Sequence, residues 1–209
     1  MTQFTVKKLS EPLAAGDRIY YGEYVLGTEN VKEPVPWRIL AKEDDRIFVI
    51  SEFGLEVREY NHKWALMTWE KCDLRAWLNG PFYEETFSEE EKKAIETVTV
   101  TADQNPGFET DPGNDVQDKI YLLSIIEAGK YFSGNEDRRC FPTPHCASKT
   151  VRDEDGCCWW WLRSQGYIFY HAANISQAGE INDAGNNNNY GTRTARPVMW
   201  VRLPREKDE

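Results

Sequence analysis

The residues best suited to recognising a ligand lie near the end of the sequence, between Trp159 and Leu203. Apolar blocks at residues 159–162 and 195–201 bracket a band that is rich in Tyr, His and Asn and almost free of aliphatic residues. Exposed Tyr and Asn supply contact area and hydrogen bonds at a low cost in conformational entropy. The band therefore predicts a surface that binds a protein or carbohydrate ligand. The candidate ligand-binding residues are Tyr167, Phe169, Tyr170, His171, Asn174, Asn182, Asn186, Asn187, Asn188, Asn189 and Tyr190.

Two features of this stretch also have structural interpretations. The Asn run at 186–189, between Gly185 and Gly191, is equally typical of an ordinary surface turn, because Asn and Gly tolerate left-handed backbone conformations. In a strand, Trp160 would face away from Trp159 and Trp161, so at least one side of the Trp triplet is expected to pack in the core. Several of the four Arg of residues 157–203 are likewise expected to be structural, pairing with buried carboxylates or carbonyls. The four are Arg163, Arg193, Arg196 and Arg202.

Metal binding has little support in the sequence. The spacing of the five Cys does not match zinc-binding pairs, and an odd number with two adjacent favours reduced thiols. They are Cys72, Cys140, Cys146, Cys157 and Cys158. Calcium binding by the acidic loop at 103–118 stays open, although we favour a solvated loop because the EF-hand pattern is absent. The carboxylates concerned are Asp103, Asp111, Asp115 and Asp118. We predict no metal ligands and no cofactor.

Catalysis has equally little support. His62, His145 and His171 occur in no motif that pairs a base with a nucleophile and an orienting acid. Neither glycine-rich phosphate-binding pattern, GxxxxGK[ST] or GxGxxG, is present. We therefore predict that the protein is not an enzyme, and no catalytic residue is proposed.

Composition limits the partners. The net charge of -10 over 209 residues argues against nucleic acid, because binding phosphates requires a basic surface. No apolar run approaches the roughly 20 residues of a membrane-spanning helix, so no membrane insertion is expected. The first residues do not resemble a signal peptide. We expect a cytoplasmic protein, or a secreted or surface protein if a leader has been removed.

The remaining chain must form the scaffold. Strands are predicted at 17–26, 36–40, 46–50, 97–101 and 119–123, with an acidic hairpin turn at 42–45. A helix over 68–80 is predicted to begin at Thr68 and to stop at Asn79-Gly80. Capping boxes at Ser88 and Ser124 predict two more short helices. Residues 102–118 are predicted to be a loop and 133–156 to be irregular.

This order of predicted strands and helices indicates an α+β fold with short antiparallel strands, two to three short helices and long loops. Residues 16–203 form the predicted domain, after an extension at 1–15 and before a charged tail at 204–209.

Several of these blocks occur together, and in the same order, in a known bacterial family. They are Trp37-Arg38-Ile39-Leu40, Ile50-Ser51-Glu52, Tyr60-Asn61, Thr68-Trp69-Glu70, Leu74-Arg75, Trp77-Leu78-Asn79, residues 118–124, residues 160–164 and Ala195-Arg196-Pro197-Val198. Over about residues 16–203 the chain resembles the uncharacterised family DUF6273. That family in turn is similar to the C-type lectin-like fold of formylglycine-generating enzymes and of variable proteins of diversity-generating retroelements.

The resemblance implies a C-type lectin-like fold whose C-terminal strands and loops face a ligand. It further suggests a retroelement variable protein, because adenine mutagenesis of Asn codons favours the composition of this band. The other interpretation is that the band is a loop of fixed sequence, inherited from such a scaffold and not actively diversified. The paired cysteines of formylglycine-generating enzymes have no counterpart, since no Cys follows Cys158. The alternatives to a binding module are a divergent enzyme of that superfamily and a self-associating structural domain.

Overall fold

The computed structural model of the chain describes residues 4–204. The predicted charged tail, apart from residue 204, and the first three residues of the predicted extension lie outside this range. The strands are β1 (Val6–Lys7), β2 (Arg18–Val25), β3 (Lys32–Lys42), β4 (Arg46–Ser51), β5 (Glu56–Val57), β6 (Val98–Val100), β7 (Val116–Asp118), β8 (Trp160–Gln165), β9 (His171–Ile175), β10 (Ile181–Asn187), β11 (Thr194–Ala195) and β12 (Val198–Arg202). The α-helices are α1 (Asp73–Trp77), α2 (Tyr83–Thr86), α3 (Glu89–Ala94), α4 (Ile125–Tyr131), α5 (Asn135–Arg138) and α6 (Pro144–Ala147).

The first sheet joins the two ends of the described chain. Its order is β1-β2-β3-β4-β12, and every pair is antiparallel except β1 with β2. The central strands are rich in β-branched and aromatic residues whose side chains pack in the core, such as Ile19 opposite Trp37 and Ile39 opposite Val49. The predicted strand at 17–26 and the hairpin with the acidic turn are confirmed. Part of the predicted extension packs on this sheet, since β1 pairs with β2 and Leu13 is buried.

The second sheet carries the candidate band. Its order is β10-β9-β8-β11-β5, in which β8, β9 and β10 form an antiparallel meander. All six residues of β8 are buried, so neighbouring parts of the protein cover both of its faces. The indole of Trp160 donates to the carbonyl of Arg138 at 3.0 Å, and that of Trp161 donates to the carbonyl of Arg58 at 2.9 Å. Trp160 and Trp161, on opposite sides of this strand, are therefore both structural, where the sequence predicted that at least one side packs in the core.

The capping boxes are confirmed, but the helix predicted over 68–80 is wrong in its limits. The hydroxyls of Ser88 and Ser124 each accept a hydrogen bond from the third helical amide, and the backbone amide of each Ser donates in return to the carboxylate of the Glu three residues later. Thr68 makes no cap bond; instead, a 3₁₀ turn at Trp69–Lys71 precedes α1, and the sulfur of Cys72 accepts from the amide of Arg75 at 3.4 Å. The chain then continues through a π turn at Leu78–Phe82 into α2, so Asn79-Gly80 marks a kink and not an end.

The predicted strand at 119–123 is also wrong. Its apolar residues are buried, but only Tyr121 pairs with a strand, through an isolated bridge to Val198 of β12. Side chains occupy the backbone groups on either side: the Asn79 amide donates to the carbonyl of Ile120 at 2.7 Å, and the Arg163 guanidinium donates to that of Leu122 at 3.3 Å. The segment therefore has few free backbone groups for a regular ladder.

Two further segments are more ordered than predicted. The end of the predicted loop at 102–118 forms β7, which pairs with β6 in a two-stranded sheet. The segment predicted to be irregular at 133–156 contains α5 and α6, each four residues long, with Pro144 in the first turn of α6. Residues 4–204 thus contain six short α-helices where two to three were predicted, because single-turn helices leave no clear periodicity in a sequence.

Candidate functional site

One exposed part of the candidate band is the turn between β8 and β9. Gly166 donates its amide to the carbonyl of His171 at 2.8 Å, and the amide of His171 donates to the carbonyl of Ile168 at 2.9 Å. A side chain at Gly166 would lie 2.4 Å from the carbonyl oxygen of Ala184, so the close approach of β10 requires glycine here. The turn projects Tyr167 and Phe169 outward, with 53% of Phe169 exposed.

The rings of this turn form a continuous row with rings from two other loops. The ring of Tyr167 lies 4.8 Å from that of His171, and that of His171 lies 5.1 Å from that of Tyr170, as centroid distances. Tyr170 in turn contacts Phe169 and Trp64, each at 4.8 Å. Phe108 extends the row beyond Tyr167 at 6.0 Å. We call this row the aromatic face; its members are Trp64, Phe108, Tyr167, Phe169, Tyr170 and His171.

Backbone hydrogen bonds hold the loop at 61–67 against the turn. The amide of Met67 donates to the carbonyl of Phe169 at 3.2 Å, and the amide of Asn61 donates to the carbonyl of Asn188 at 2.9 Å. The side chain of Asn188 donates to the carbonyl of Ala65 at 3.0 Å. This loop places Trp64 on the surface with 64% of its area exposed, and the nearby Leu66 is 60% exposed.

The loop at 105–110 is anchored on the other side of the turn. The amide group of Asn105 donates to the carbonyls of Gln165 and Asp183 at 2.7 and 2.9 Å, and the hydroxyl of Thr110 donates to the carbonyl of Gly166 at 3.0 Å. These bonds bring Phe108 beside Tyr167. Sequence reasoning missed Trp64, Leu66 and Phe108. The only signal was the presence of large apolar residues in segments without strand or helix periodicity.

The Asn residues of the β9–β10 hairpin do not form an exposed surface. Asn182 donates to the side-chain oxygen of Asn174 at 3.2 Å, and Asn174 donates to that of Asn186 at 3.1 Å. Asn186 also accepts from the guanidinium of Arg193 at 2.9 Å. We call Asn174, Asn182, Asn186 and Arg193 together the Asn network. Asn174 has no exposed area, so it is removed from the set that can touch a ligand directly.

The network stabilises a bulge in the hairpin. The pairing of β9 with β10 shifts between Asn182 and Asn186, where Gly185 adopts a φ of +71°. The side-chain oxygen of Asn182 accepts from the amide of Gly185 at 3.2 Å. The amide side chains therefore bind backbone groups that the bulge leaves without a ladder partner.

The remaining candidates separate into buried and exposed positions. Asn187 is half-buried opposite His171 in the β9–β10 ladder, whereas Asn188 is only 1% exposed and so is withdrawn as a contact residue. Asn189 and Tyr190 are exposed. The guanidinium of Arg193 lies 4.8 Å from the ring centre of Tyr190. No ring contact joins Tyr190 to the aromatic face within residues 4–204, so the structure divides the predicted band into two surfaces.

Several of the four Arg residues are structural, as predicted. Arg163 binds Asp103 at 2.9 Å and also pairs with Glu127, while Arg202 binds Glu96 at 2.6 Å. Arg193 lies 5.2 Å from the ring centre of Trp159, and burial lowers the pKa of its guanidinium. Arg196 donates to the carbonyl of Ser51 at 3.0 Å.

The acidic loop uses its carboxylates internally. Asp103 pairs with Arg163, and Asp111 and Asp115 accept from the amides of Gly113 and Ala102 at 2.9 and 2.8 Å. Asp118 is buried between the Trp69 indole and the Arg75 guanidinium. Across residues 4–204 no group of three or more His, Cys, Asp or Glu side chains is arranged to hold a metal ion.

A second surface feature lies on the first sheet. It is an open groove of about 710 Å³, lined by aromatic and proline side chains that include Tyr20, Pro36, Phe53, Phe141 and Pro142. Tyr20 and Phe141 are both exposed. The sequence interpretation did not anticipate this groove, because its walls come from segments more than a hundred residues apart.

The fold and the site together define a mixed α+β protein, built mostly of sheets, with an exposed aromatic face at one edge of its C-terminal sheet. The chain belongs to the family described as "Domain of unknown function (DUF6273)", whose model matches residues 44–203. Comparisons with curated proteins and with solved structures gave no significant match. Between residues 4 and 204, no helix has the length and apolar character needed to cross a membrane.

Proposed function

We propose that this protein is a binding module that recognises its ligand through the aromatic face. The observation that carries the proposal is the convergence of six aromatic side chains from three loops on one exposed surface. Soluble proteins rarely expose contiguous apolar patches, and those they do expose are commonly interaction sites. Trp and Tyr are also the residues most often responsible for binding energy at interfaces.

The shape of the face favours a protein ligand over a carbohydrate. Four ring contacts within the face are edge-to-face, with interplanar angles of 64 to 87°. They join Trp64 to Tyr170, Phe169 to Tyr170, Tyr170 to His171, and Tyr167 to His171. Such a row alternates ring edges and ring faces and so forms ridges, whereas a sugar stacks best on one flat, open ring. The exposed side chain of Leu66 beside Trp64 adds aliphatic surface, which suits interdigitation with a partner's side chains.

A C-type lectin-like fold is part of this proposal. The support is the antiparallel meander β8-β9-β10 near the C-terminus together with the long loops at 61–67 and 105–110 that meet above it. In this arrangement the sheet serves as a rigid scaffold, and ligand contacts lie on loops.

Diversification by a retroelement would have to be restricted to part of the band. Exposed positions such as Tyr167, Phe169 and Asn189 can accept substitution without disturbing the core. Positions of the Asn network cannot vary freely, because each amide binds another. An imperfect copy of the coding DNA for residues 165–193, differing only at adenines, would support diversification. Differences at the codons of Asn174 and Asn188 would count against this structural restriction.

The alternative of a formylglycine-generating type of enzyme receives no support from the site. The amide of Cys158 donates to the carbonyl of Cys140 at 2.8 Å, but both side chains are buried and neither lies in the aromatic face. A substrate bound at that face would not contact them.

The test compares the wild type with two matched double variants. Trp64→Ala/Phe169→Ala removes the two most exposed rings of the aromatic face, and Tyr20→Ala/Phe141→Ala removes two exposed rings from the groove. Proteins captured from extracts of the source cells should be retained by the wild type and the groove variant and lost by the face variant. For a purified captured protein, we expect affinity to fall at least tenfold, which is about 1.4 kcal/mol, in the face variant only.

Three results would contradict the proposal. Equal capture by the two variants would show that the aromatic face is not the binding surface. Binding of defined oligosaccharides on a glycan array, lost in the face variant, would replace the protein ligand by a carbohydrate. Concentration-dependent sedimentation of the wild type that the face variant abolishes would identify a second copy of this chain as the partner.

A further inference from the structure

The groove on the first sheet lies between two walls that backbone hydrogen bonds hold in place. One wall is the outer surface of the β2–β3 hairpin, and the other begins at Phe141. The carbonyl of Phe141 accepts from the amide of Gly54 at 3.0 Å, and the amide of Thr143 donates to the carbonyl of Gly54 at 3.0 Å. The amide of His145 then donates to the carbonyl of Leu26 at 2.9 Å. The groove, with its volume of about 710 Å³, is therefore part of the packed structure.

Ring-bearing side chains make up more than half of the groove lining. Four aromatic residues and four prolines contribute to it, whereas its aliphatic side chains are those of Leu26 and Ala147. Tyr20 is 53% exposed and Phe141 is 45% exposed, and neither ring contacts another aromatic ring within residues 4–204. Their faces are therefore free to stack on the rings of a ligand. Aromatic-lined grooves of this kind dock proline-rich segments.

The groove offers a ligand few backbone groups. Beneath it, Tyr20 of β2 pairs with Pro36 of β3, and Glu23 pairs with Pro34. A proline has no N–H group, so Pro34 and Pro36 could not donate a hydrogen bond to an added strand. The wall amides described above already bind carbonyls of the chain. A ligand must therefore be recognised through its side chains. A polyproline II helix meets this condition, because it needs no hydrogen-bonded partner and keeps its backbone solvated.

Two unpaired charges of opposite sign also line the groove. They belong to Glu33 and Arg152, which are both exposed. Neither takes part in an ion pair within residues 4–204, so the two charges do not pair with each other. The carboxylate of Glu33 lies directly over Gly27, where an added side chain would be 2.7 Å from its Oε1. Each charge is thus available to a ligand, and the net charge of -10 favours the approach of a basic one.

We propose that the groove binds a proline-rich peptide segment in the polyproline II conformation. Its prolines stack on Tyr20 and Phe141, a basic residue of the peptide pairs with Glu33, and an acidic residue pairs with Arg152. The prolines fix this conformation before binding, so ordering the peptide costs little entropy.

The groove is separate from the aromatic face, because no residue of the face lines it. The two surfaces take different ligands, and this inference does not depend on the proposed function. Loss of the peptide and loss of the partner of the aromatic face can therefore be measured independently.

The test uses a labelled peptide of about eight prolines, which spans roughly 25 Å as a polyproline II helix, with Arg at one end and Glu at the other. Fluorescence anisotropy should show saturable binding to the wild type. Affinity should fall at least about tenfold in Tyr20→Ala/Phe141→Ala, which removes both stacking rings, and should be unchanged in Trp64→Ala/Phe169→Ala. A peptide with Gly and Ser between the same charged ends should bind at least about tenfold more weakly, because it is flexible and has no rings.

A charge exchange then tests the role of Glu33. Glu33→Lys should weaken binding of the peptide with Arg and Glu ends by about two- to fivefold, which is the size expected for an exposed ion pair. The same variant should bind a peptide with Glu at both ends more tightly than the wild type does. A variant that had merely lost its structure would weaken both peptides, and thermal denaturation would reveal it.

Three results would overturn the proposal. The first is no saturable binding of the proline peptide by the wild type. The second is equal affinity for the proline peptide and the Gly–Ser peptide, which would leave charge alone as the cause of binding. The third is loss of the proline peptide in Trp64→Ala/Phe169→Ala but not in Tyr20→Ala/Phe141→Ala, which would place the peptide on the aromatic face.

Discussion

The aromatic turn at 166–171 and the Asn-rich hairpin at 174–188 were both predicted to recognise a ligand, yet the structure uses them differently. The turn exposes its rings, which contact one another edge to face and meet a ring from each of two other loops. The hairpin directs its amide side chains toward each other and toward Arg193. Residue type alone therefore does not identify a binding surface. What distinguishes the two regions is whether the polar and aromatic groups already have partners within the chain.

The strongest test of this contrast is Gly185→Ala in the hairpin. The added methyl group would lie 2.4 Å from the carbonyl oxygen of Ala172, and the residue has a φ of +71°. Because left-handed backbone costs alanine about 1 kcal/mol or more and a clash adds to it, we expect the free energy of unfolding to fall by about 3 kcal/mol. Gly191→Ala is the control, because the atom nearest to its added carbon is 3.7 Å away. Urea denaturation would measure both variants, and equal losses would disprove the role of the bulge.

A smaller but still clear loss is expected for Asn174→Ala. This change removes the buried amide of Asn174 and leaves the half-buried Asn182 and Asn186 without one of their partners, and each unsatisfied buried group costs about 1 to 3 kcal/mol. We expect a decrease of about 2 kcal/mol in the free energy of unfolding. Asn189→Ala, at an exposed position, should change it by less than about 0.5 kcal/mol. If the two variants were equally stable, the hairpin amides would be surface groups after all.

The smallest effect on stability is expected in the aromatic face. Phe169→Ala removes a ring that is more than half exposed, so the free energy of unfolding should change by less than about 1 kcal/mol. Ligand affinity should nevertheless fall, because an exposed anchor ring contributes to binding and not to the core. Thermal denaturation of this variant beside Trp161→Ala, which empties a buried position and should cost about 3 to 5 kcal/mol, would check the difference. A large loss for Phe169→Ala would place its ring in the core.

Much of the scaffold could be predicted from local patterns. Tyr and β-branched residues marked β2, apolar blocks on both sides of an acidic turn marked β3 and β4, and the Ser–Glu spacing at 88–91 and 124–127 marked the start of α3 and α4, because these signals depend on neighbours in sequence. The helix at 68–80 and the strand at 119–123 were wrong for a shared reason. Their backbone groups are bound by distant side chains, such as Asn79 and Arg163, whose positions no local pattern encodes.

The candidate site was predictable only in part for the same reason. The sequence located the band and its exposed turn, since a segment with few aliphatic residues between apolar strands is expected to lie at the surface. It could not separate Tyr167 and Phe169 from Asn174 and Asn188, because burial depends on which segments pack above them. Trp64 and Phe108 join the face through loops that lie about sixty residues or more from the turn along the chain.

The sequence by itself determined the α+β character, the family and the stretch of chain that carries the candidate surface. These properties follow from composition and from periodicities that act over a few residues. Only the tertiary structure decided which side chains are free to meet a ligand and how the aromatic face is assembled. Such contacts join positions far apart in the chain, and their energies depend on burial and on the exact approach of partner groups, which are set only when the whole core has packed.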